Sequence, residues 1–276
     1  MPDNMTTRNV HVAAQRCLLS TDITEKVARV QQLQEAWQAG QLQVQAVPLD
    51  DHREAGRPAR PELVAPRQVQ RRKFSTPAGQ AALIHAVAHI EFNAINLACD
   101  AVSRYHDLPV AYYADWIQVA AEEAKHFGLL QDRLAATGYQ YGDFPAHNGL
   151  WELAQTTADN FVQRMAIVPR VMEARGLDVT PGMIKRFEQV GDTETAAVLH
   201  IILDDEIGHV AIGSRWYQYA CIAEGLEPEA HYLQLLRTEF RHLLRTPFHT
   251  EARLAAGFSA HELEQMTLIS ATNQRH

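Results

Sequence analysis

Apolar side chains recur every three or four positions along most of the chain, and no stretch keeps the alternation of a β-strand, so the pattern predicts an all-α protein. Residues 8–20 and 22–39 read as two short helices. The second has Thr21 or Asp22 as cap, Val27, Val30, Leu33 and Trp37 on one face, and Gly40 as stop. Over 47–74 the periodicity disappears. Pro48, Pro58, Pro61 and Pro66 cannot continue a helix, so this part reads as an extended strap. Longer helices follow at about 75–105, 109–138, 148–175 and 192–224, with a small one from Thr180 to Gly191. A further helix is expected at about 229–244, then Pro247 and two short helical stretches. The predicted organisation is an N-terminal helical segment (1–46), the strap (47–74), a four-helix bundle (75–225) and a C-terminal helical extension (226–276), packed as one domain.

The apolar stripes of the four long helices are interrupted by charge at only a few places. Glu91 stands in the stripe Ile84, Val87, Ala88, Ile95, Ala98 and Val102. Glu123 and His126 stand among Ile117, Ala120, Phe127, Leu130 and Leu134. Glu206 and His209 stand among Leu199, Ile202, Leu203, Val210 and Gly213. The third helix has Val162, Ala166, Pro169 and Glu173 on its inner side, and Pro169 is expected to kink it or open a bulge one turn before Glu173. Three residues along a helix advance about 300° and rise roughly 4.5 Å, so a Glu-x-x-His presents carboxylate and imidazole on one face as a metal clamp. The motif alone is weak, because a chain of this composition should hold about one by chance and there are three, the last at Glu239 and His242. Spacing says more. Glu91 precedes Glu123 by 32 residues and Glu173 precedes Glu206 by 33, so the chain reads twice as Glu, one helical hairpin, then acid-Glu-x-x-His.

Buried carboxylates without partners cost several kcal/mol or stay protonated, so four of them on inward stripes call for cations. Carboxylates with one imidazole per ion suit iron or manganese, and the lack of a cysteine cluster disfavours structural zinc. The expected ligands are Glu91, Glu123, His126, Glu173, Glu206 and His209, with Glu123 and Glu206 bridging two ions and Glu91 and Glu173 terminal. Glu122 and Asp205, the acids before each clamp, are candidates to receive the second ring N–H of the histidine on the opposite helix. For Glu173 a salt bridge to Arg170 or Arg175 remains an alternative. His85 and His89 read as outer residues of the site, and Glu239 and His242 lie among arginines on a solvated face.

Composition changes the picture little. A net charge of −8 gives no support to broad nucleic-acid or membrane-surface binding. Cys17, Cys99 and Cys221 lack disulfide or ribbon spacing and read as free thiols of a reducing compartment. No run of 18 apolar residues and no signal-peptide profile is present, so a cytoplasmic protein is expected. The strap is basic, with Arg53, Arg57, Arg60, Arg67, Arg71, Arg72 and Lys73. It is expected to pair with an acidic bundle, a site for an anionic substrate or nucleic acid being the alternative.

Several segments carry a resemblance: His-Ile-Glu-Phe-Asn-Ala-Ile-Asn-Leu (89–97), Glu-Glu-Ala-Lys-His-Phe (122–127), Tyr-Gly-Asp-Phe-Pro-Ala-His (141–147), Val-Pro-Arg-Val-Met-Glu-Ala-Arg-Gly-Leu-Asp (168–178) and Glu-Ile-Gly-His-Val-Ala-Ile-Gly (206–213). Through them the chain resembles the ferritin-like superfamily, and within it a bacterial branch catalogued as a domain of unknown function. The resemblance implies a ferritin-like four-helix bundle with extra N-terminal helices, strap and C-terminal helices, holding two iron ions, with manganese or a mixed pair as alternatives. It also implies an oxygen- or peroxide-using oxidase or hydroxylase acting on a small organic molecule, with an electron donor as partner. An iron-handling ferroxidase and a non-catalytic metal-binding scaffold are the alternatives. A homodimer is compatible with it. The acid-Glu-x-Arg-His pattern frequent in di-iron oxygenases is not kept, since Lys125 and Gly208 stand at the arginine positions.

Overall fold

The computed structural model describes residues 8–49, 54–70 and 72–273, and among them the chain is all-α, with no β-strand. It falls into two compact units, Met1–Glu152 and Leu153–His276. In the first, α1 (Val10–Leu19) and α2 (Ile23–Gln38) pack on the hairpin of α3 (Pro77–Arg104) and α4 (Val110–Ala136). The local signals explain the bounds. Asp22 caps α2 by accepting from the Glu25 amide at 2.8 Å, and Gly40 ends it at φ +64°. Thr76 Oγ1 accepts from the Gly79 amide at 3.1 Å, and Pro77 occupies the first turn of α3. Between α3 and α4 only 105–109 intervene, and Asp107 takes the left-handed conformation that closes this turn. A connection this short holds α3 and α4 antiparallel.

Among the described residues α3 is the one helix long and apolar enough to cross a membrane by length and composition. Its most apolar window is 72% buried inside the protein, as in a core helix. Among its described residues the strap has no helix other than a 3₁₀ turn at Pro66–Gln68, and Leu63 pairs with Ala146 in a single parallel bridge. Of its basic residues, Arg53 and Arg71 lie outside the described ones. Arg57, Arg60, Arg67, Arg72 and Lys73 are exposed, and among the described residues none forms a salt bridge to a carboxylate, contrary to the expected pairing. Arg72 instead lays its guanidinium over the Phe144 ring at 4.9 Å. After α4 a loop leads to α5 (Gly149–Thr156). It turns Tyr141 and Phe144 onto His85 of α3.

The second unit contains α6 (Phe161–Ile167), a π-helical turn (Val168–Glu173), α7 (Ala174–Gln189) and α8 (Thr193–Ala223). Helices α9 (Pro228–Leu235), α10 (Thr250–Ala255) and α11 (Ala260–Asn273) follow, with a second π turn at Leu236–Phe240 and a 3₁₀ turn at Arg241–Leu243 after α9. The bulge expected at Pro169 is present as the first π turn, whose second residue is Pro169. The single helix expected over 148–175 is not. It breaks after Thr156, and Asn160 restarts the helix by accepting from the Gln163 amide at 2.9 Å.

Nor does the helix stop at Gly176 and begin again at Pro181, because α7 runs through both. Gly176 does not take the left-handed conformation that would end a helix. The internal proline costs roughly 3 kcal/mol. Burial of Leu177, Ile184 and Phe187 returns about 1.5–3 kcal/mol each and outweighs it.

Arg170, on the π turn, is anchored over a long sequence distance. It donates to both oxygens of Glu262 at 2.9 and 3.0 Å and lies against the rings of Tyr217, Tyr232 and Phe258. Both charges are buried, so the pair cannot lose one member cheaply. Glu262→Ala is expected to destabilise the protein by about 3–5 kcal/mol in urea unfolding, because it strands the buried guanidinium.

Candidate metal centre

On α3 the apolar stripe places Glu91 inward, 3% exposed, and on α4 it places Glu123 and His126 at 0%. The His126 Nδ1 lies 3.2 Å from Glu91 Oε2 and 3.6 Å from Glu123 Oε2. One ligand atom from each of the three falls within 4.8 Å of the others, a buried cluster that could hold a metal ion. Burial by itself would lower the imidazole pKa. Hydrogen bonds and charge from Glu123 and Glu91 overcome it and push His126 up to about 11. The pocket therefore attracts positive charge strongly.

In the second unit α8 presents Glu206 and His209 the same way, buried, with His209 Nδ1 3.6 Å from Glu206 Oε1. Asp192 caps that helix, accepting from the Thr195 amide and hydroxyl, so its phase is set from the first turn. Glu173 is the last residue of the π turn and half-buried. Its expected competitors are engaged elsewhere. Arg170 is held by Glu262, and Arg175 donates to Asp178 at 3.4 Å and to the Arg245 carbonyl at 3.0 Å. Glu122 and Asp205 are half-buried, and Glu122 Oε1 accepts from Gln118 Nε2 at 3.0 Å. Lys125 and Gly208, at the positions where the oxygenase pattern has arginine, are exposed. Glu239 lies on the second π turn and His242 on the 3₁₀ turn after it, so the third Glu-x-x-His lacks α-helical geometry.

With both clamps placed, the family can be stated. The model of the family described as "Protein of unknown function (DUF455)" matches residues 19–264, which include every residue of the two clamps. The chain belongs to the DUF455 family. A protein of Haemophilus influenzae (strain ATCC 51907 / DSM 11121 / KW20 / Rd), described as an uncharacterized protein, is 44% identical over 244 residues. That alignment covers 83% of this chain and 85% of the relative. No solved structure matches.

This DUF455 chain also builds a polar cluster around His85 and His89 of α3 that sequence alone did not reveal. His89 Nδ1 lies 2.8 Å from the Tyr141 hydroxyl, and its Nε2 lies 3.1 Å from the His147 carbonyl and 3.2 Å from Asn93 Nδ2. The Gly142 amide donates to His85 Nε2 at 2.9 Å. Burial holds both imidazoles down at about 4, so they are neutral near pH 7. Tyr141 meets the ring of Phe127 edge-on at 5.0 Å and that of Phe92 at 5.8 Å. The quoted segment 141–147 pointed here, but its partners lie more than 50 residues away. Tyr141→Phe leaves His89 Nδ1 without its hydrogen-bond partner and is expected to cost about 1–3 kcal/mol, read as a lower urea midpoint at unchanged m-value.

Proposed function

We propose that Glu91, Glu123 and His126 of the first unit and Glu173, Glu206 and His209 of the second hold a pair of metal ions in the ferritin-like manner. On this reading the protein is an oxygen- or peroxide-using di-iron oxidoreductase acting on a small organic substrate. The observation that carries the proposal is that both units bury a Glu-x-x-His clamp in an otherwise apolar helix face, with carboxylate and imidazole 3.6 Å apart in each. The donor set is carboxylate and imidazole, which suits iron or manganese. The proton affinity of His126 shows that its pocket favours positive charge.

A pair of reduced iron ions supplies redox chemistry toward dioxygen or peroxide that no side chain here possesses. The chain's own residues provide the rest. Glu123 and Glu206 would bridge, Glu91 and Glu173 would bind terminally, and Glu122 and Asp205 would orient the imidazoles through their second ring N–H. Ile84, Val87, Ala120, Phe127, Leu199 and Val210 are buried on the same helix faces and keep water from the carboxylates. In the first unit His89 and Tyr141 are hydrogen-bonded to each other, and burial keeps His89 neutral near pH 7.

Anaerobic ferrous titration followed by Mössbauer spectroscopy and oxygen exposure tests this. Two coupled irons per chain, oxidised once, are expected. Many irons per chain would mark an iron-handling protein, and one redox-silent ion would mark a scaffold. Glu123→Ala and Glu206→Ala should each remove at least one of the two irons.

Metal binding should also appear as stability. At a free metal concentration about a hundredfold above Kd, ferrous or manganous salt should stabilise the wild type by about 2.7 kcal/mol for each ion bound. The same salt should raise the melting temperature of Glu123→Ala less than that of the wild type.

A further inference from the structure

A histidine in the first turn of α1 is sealed against the end of α3 and the turn that leads to α4. His11 is 0% exposed. Its Nδ1 lies 2.8 Å from the Val102 carbonyl of α3, and a carbonyl can only accept, so Nδ1 carries the ring proton and ties α1 to α3. Nε2 is then the one ring atom left to take up a proton. It is buried, and among the described residues it has no hydrogen-bond partner. The groups around it offer no acceptor. The His106 ring lies 4.1 Å away between centroids, tilted by 52°, and its own Nε2 is 3.0 Å from the Ser103 carbonyl. Tyr113 of α4 meets His11 edge-on at 5.1 Å, but its hydroxyl donates to the Tyr105 carbonyl and accepts from the Leu108 amide, both at 3.2 Å. Asp107 is exposed, and Asp100 and Arg104 at the end of α3 are paired with each other. On α2 the charged groups turned toward α1 are Lys26, Arg29 and Glu25. They meet its far end, at the carbonyls of Cys17, Leu18 and Arg16 and the Ser20 hydroxyl.

We propose that His11 is an acid-sensitive latch, whose protonation lifts the start of α1 off the α3–α4 hairpin while the other end of the helix stays bound. A proton on Nε2 creates a buried N–H without an acceptor and a positive charge beside a second imidazole, whereas the undocked ring is solvated. Burial is the largest influence on His11 and holds its pKa below the ordinary 6.5. The His106 ring acts in the same sense, and the Val102 carbonyl and Asp107 act against it.

The sign of the effect follows from proton linkage. A histidine that folds in its neutral form contributes stability that is complete above 6.5 and is lost as the pH falls through the lowered value, because the free ring binds the proton more readily than the docked one. The far end of α1 does not share this response. There the buried Lys26 ammonium donates to the Cys17 carbonyl at 2.9 Å, the Leu18 carbonyl at 2.8 Å and Asn96 Oδ1 of α3 at 2.6 Å. Burial draws Lys26 down only to about 8, so it keeps its proton at pH 7 and pH 5 alike, and these three bonds persist. Acid therefore opens the helix at one end, with Asn96 as the fixed point.

The test is amide hydrogen exchange of the full chain at pH 7 and pH 5, corrected for the intrinsic rate at each pH and read by mass spectrometry. Peptides covering the start of α1 are expected to lose protection by about tenfold or more at pH 5, while those of α8 change by less than about twofold. His11→Asn sets an amide N–H where Nδ1 stands and cannot titrate, so its α1 should stay protected at both pH values. Equal protection of α1 at the two pH values in the wild type would overturn the proposal. So would a loss that α8 shares in full, or His11→Asn opening as far as the wild type at pH 5. Should His11→Asn not fold, the His11 ring followed by NMR in the wild type decides. Its titration midpoint must coincide with the opening of α1, and a ring that stays neutral while α1 opens overturns the latch.

Discussion

Charge buried in a low-dielectric interior must be matched, and this constraint organises both units. The inward-facing stripes of α4 and α8 are apolar except where an acid and a histidine stand three residues apart, the interval that brings the two groups together on a helix. Elsewhere the same demand is met by arginine. Arg253 is held by Asp178, and Arg170 by Glu262 in an aromatic surround. These pairs tie α7, α10 and α11 of the second unit into one network, so the segment bearing Glu173 is fixed by contacts far along the chain. Rigidity of that kind is what a ligand set needs, since a carboxylate free to rotate away would hold water instead of a cation.

The parts legible in the sequence were those governed by nearby residues. Asp22, one of the two caps expected for its helix, Thr76 and Asp192 all accept from first-turn amides, and Gly40, Gly138 and Gly225 stand in left-handed conformation just past helix ends. The two clamps were legible because the 3.6-residue period fixes which positions share a face. What was not legible depends on distant partners. Gly176 and Pro181 carry local stop signals that packing of Leu177, Ile184 and Phe187 overrides. His85 and His89 are drawn into a polar cluster by Gly142, Tyr141 and His147, and no periodicity in one helix could announce a loop folding back onto it. The basic strap looked like a partner for acidic side chains, yet its described arginines lie in solvent.

Helix α3 carries buried polar groups toward neighbours on two sides. Glu91 belongs to the carboxylate cluster shared with α4, and Asn96 accepts from the buried Lys26 ammonium of α2. The helix is buried along nearly its whole length because it has neighbours on several sides, which is also why its composition imitates a membrane span.

The π turn at Val168–Glu173 has a consequence for how this chain can change over time. A turn of that kind holds one residue more than the regular coil around it. Loss of a single codon there would restore ordinary winding and swing α6 by about 100° around the axis relative to α7. Val162 and Ala166 would leave the interior together, and polar neighbours would replace them. A one-residue gap is harmless in most surface loops, but in these six positions it would turn a helix inside out.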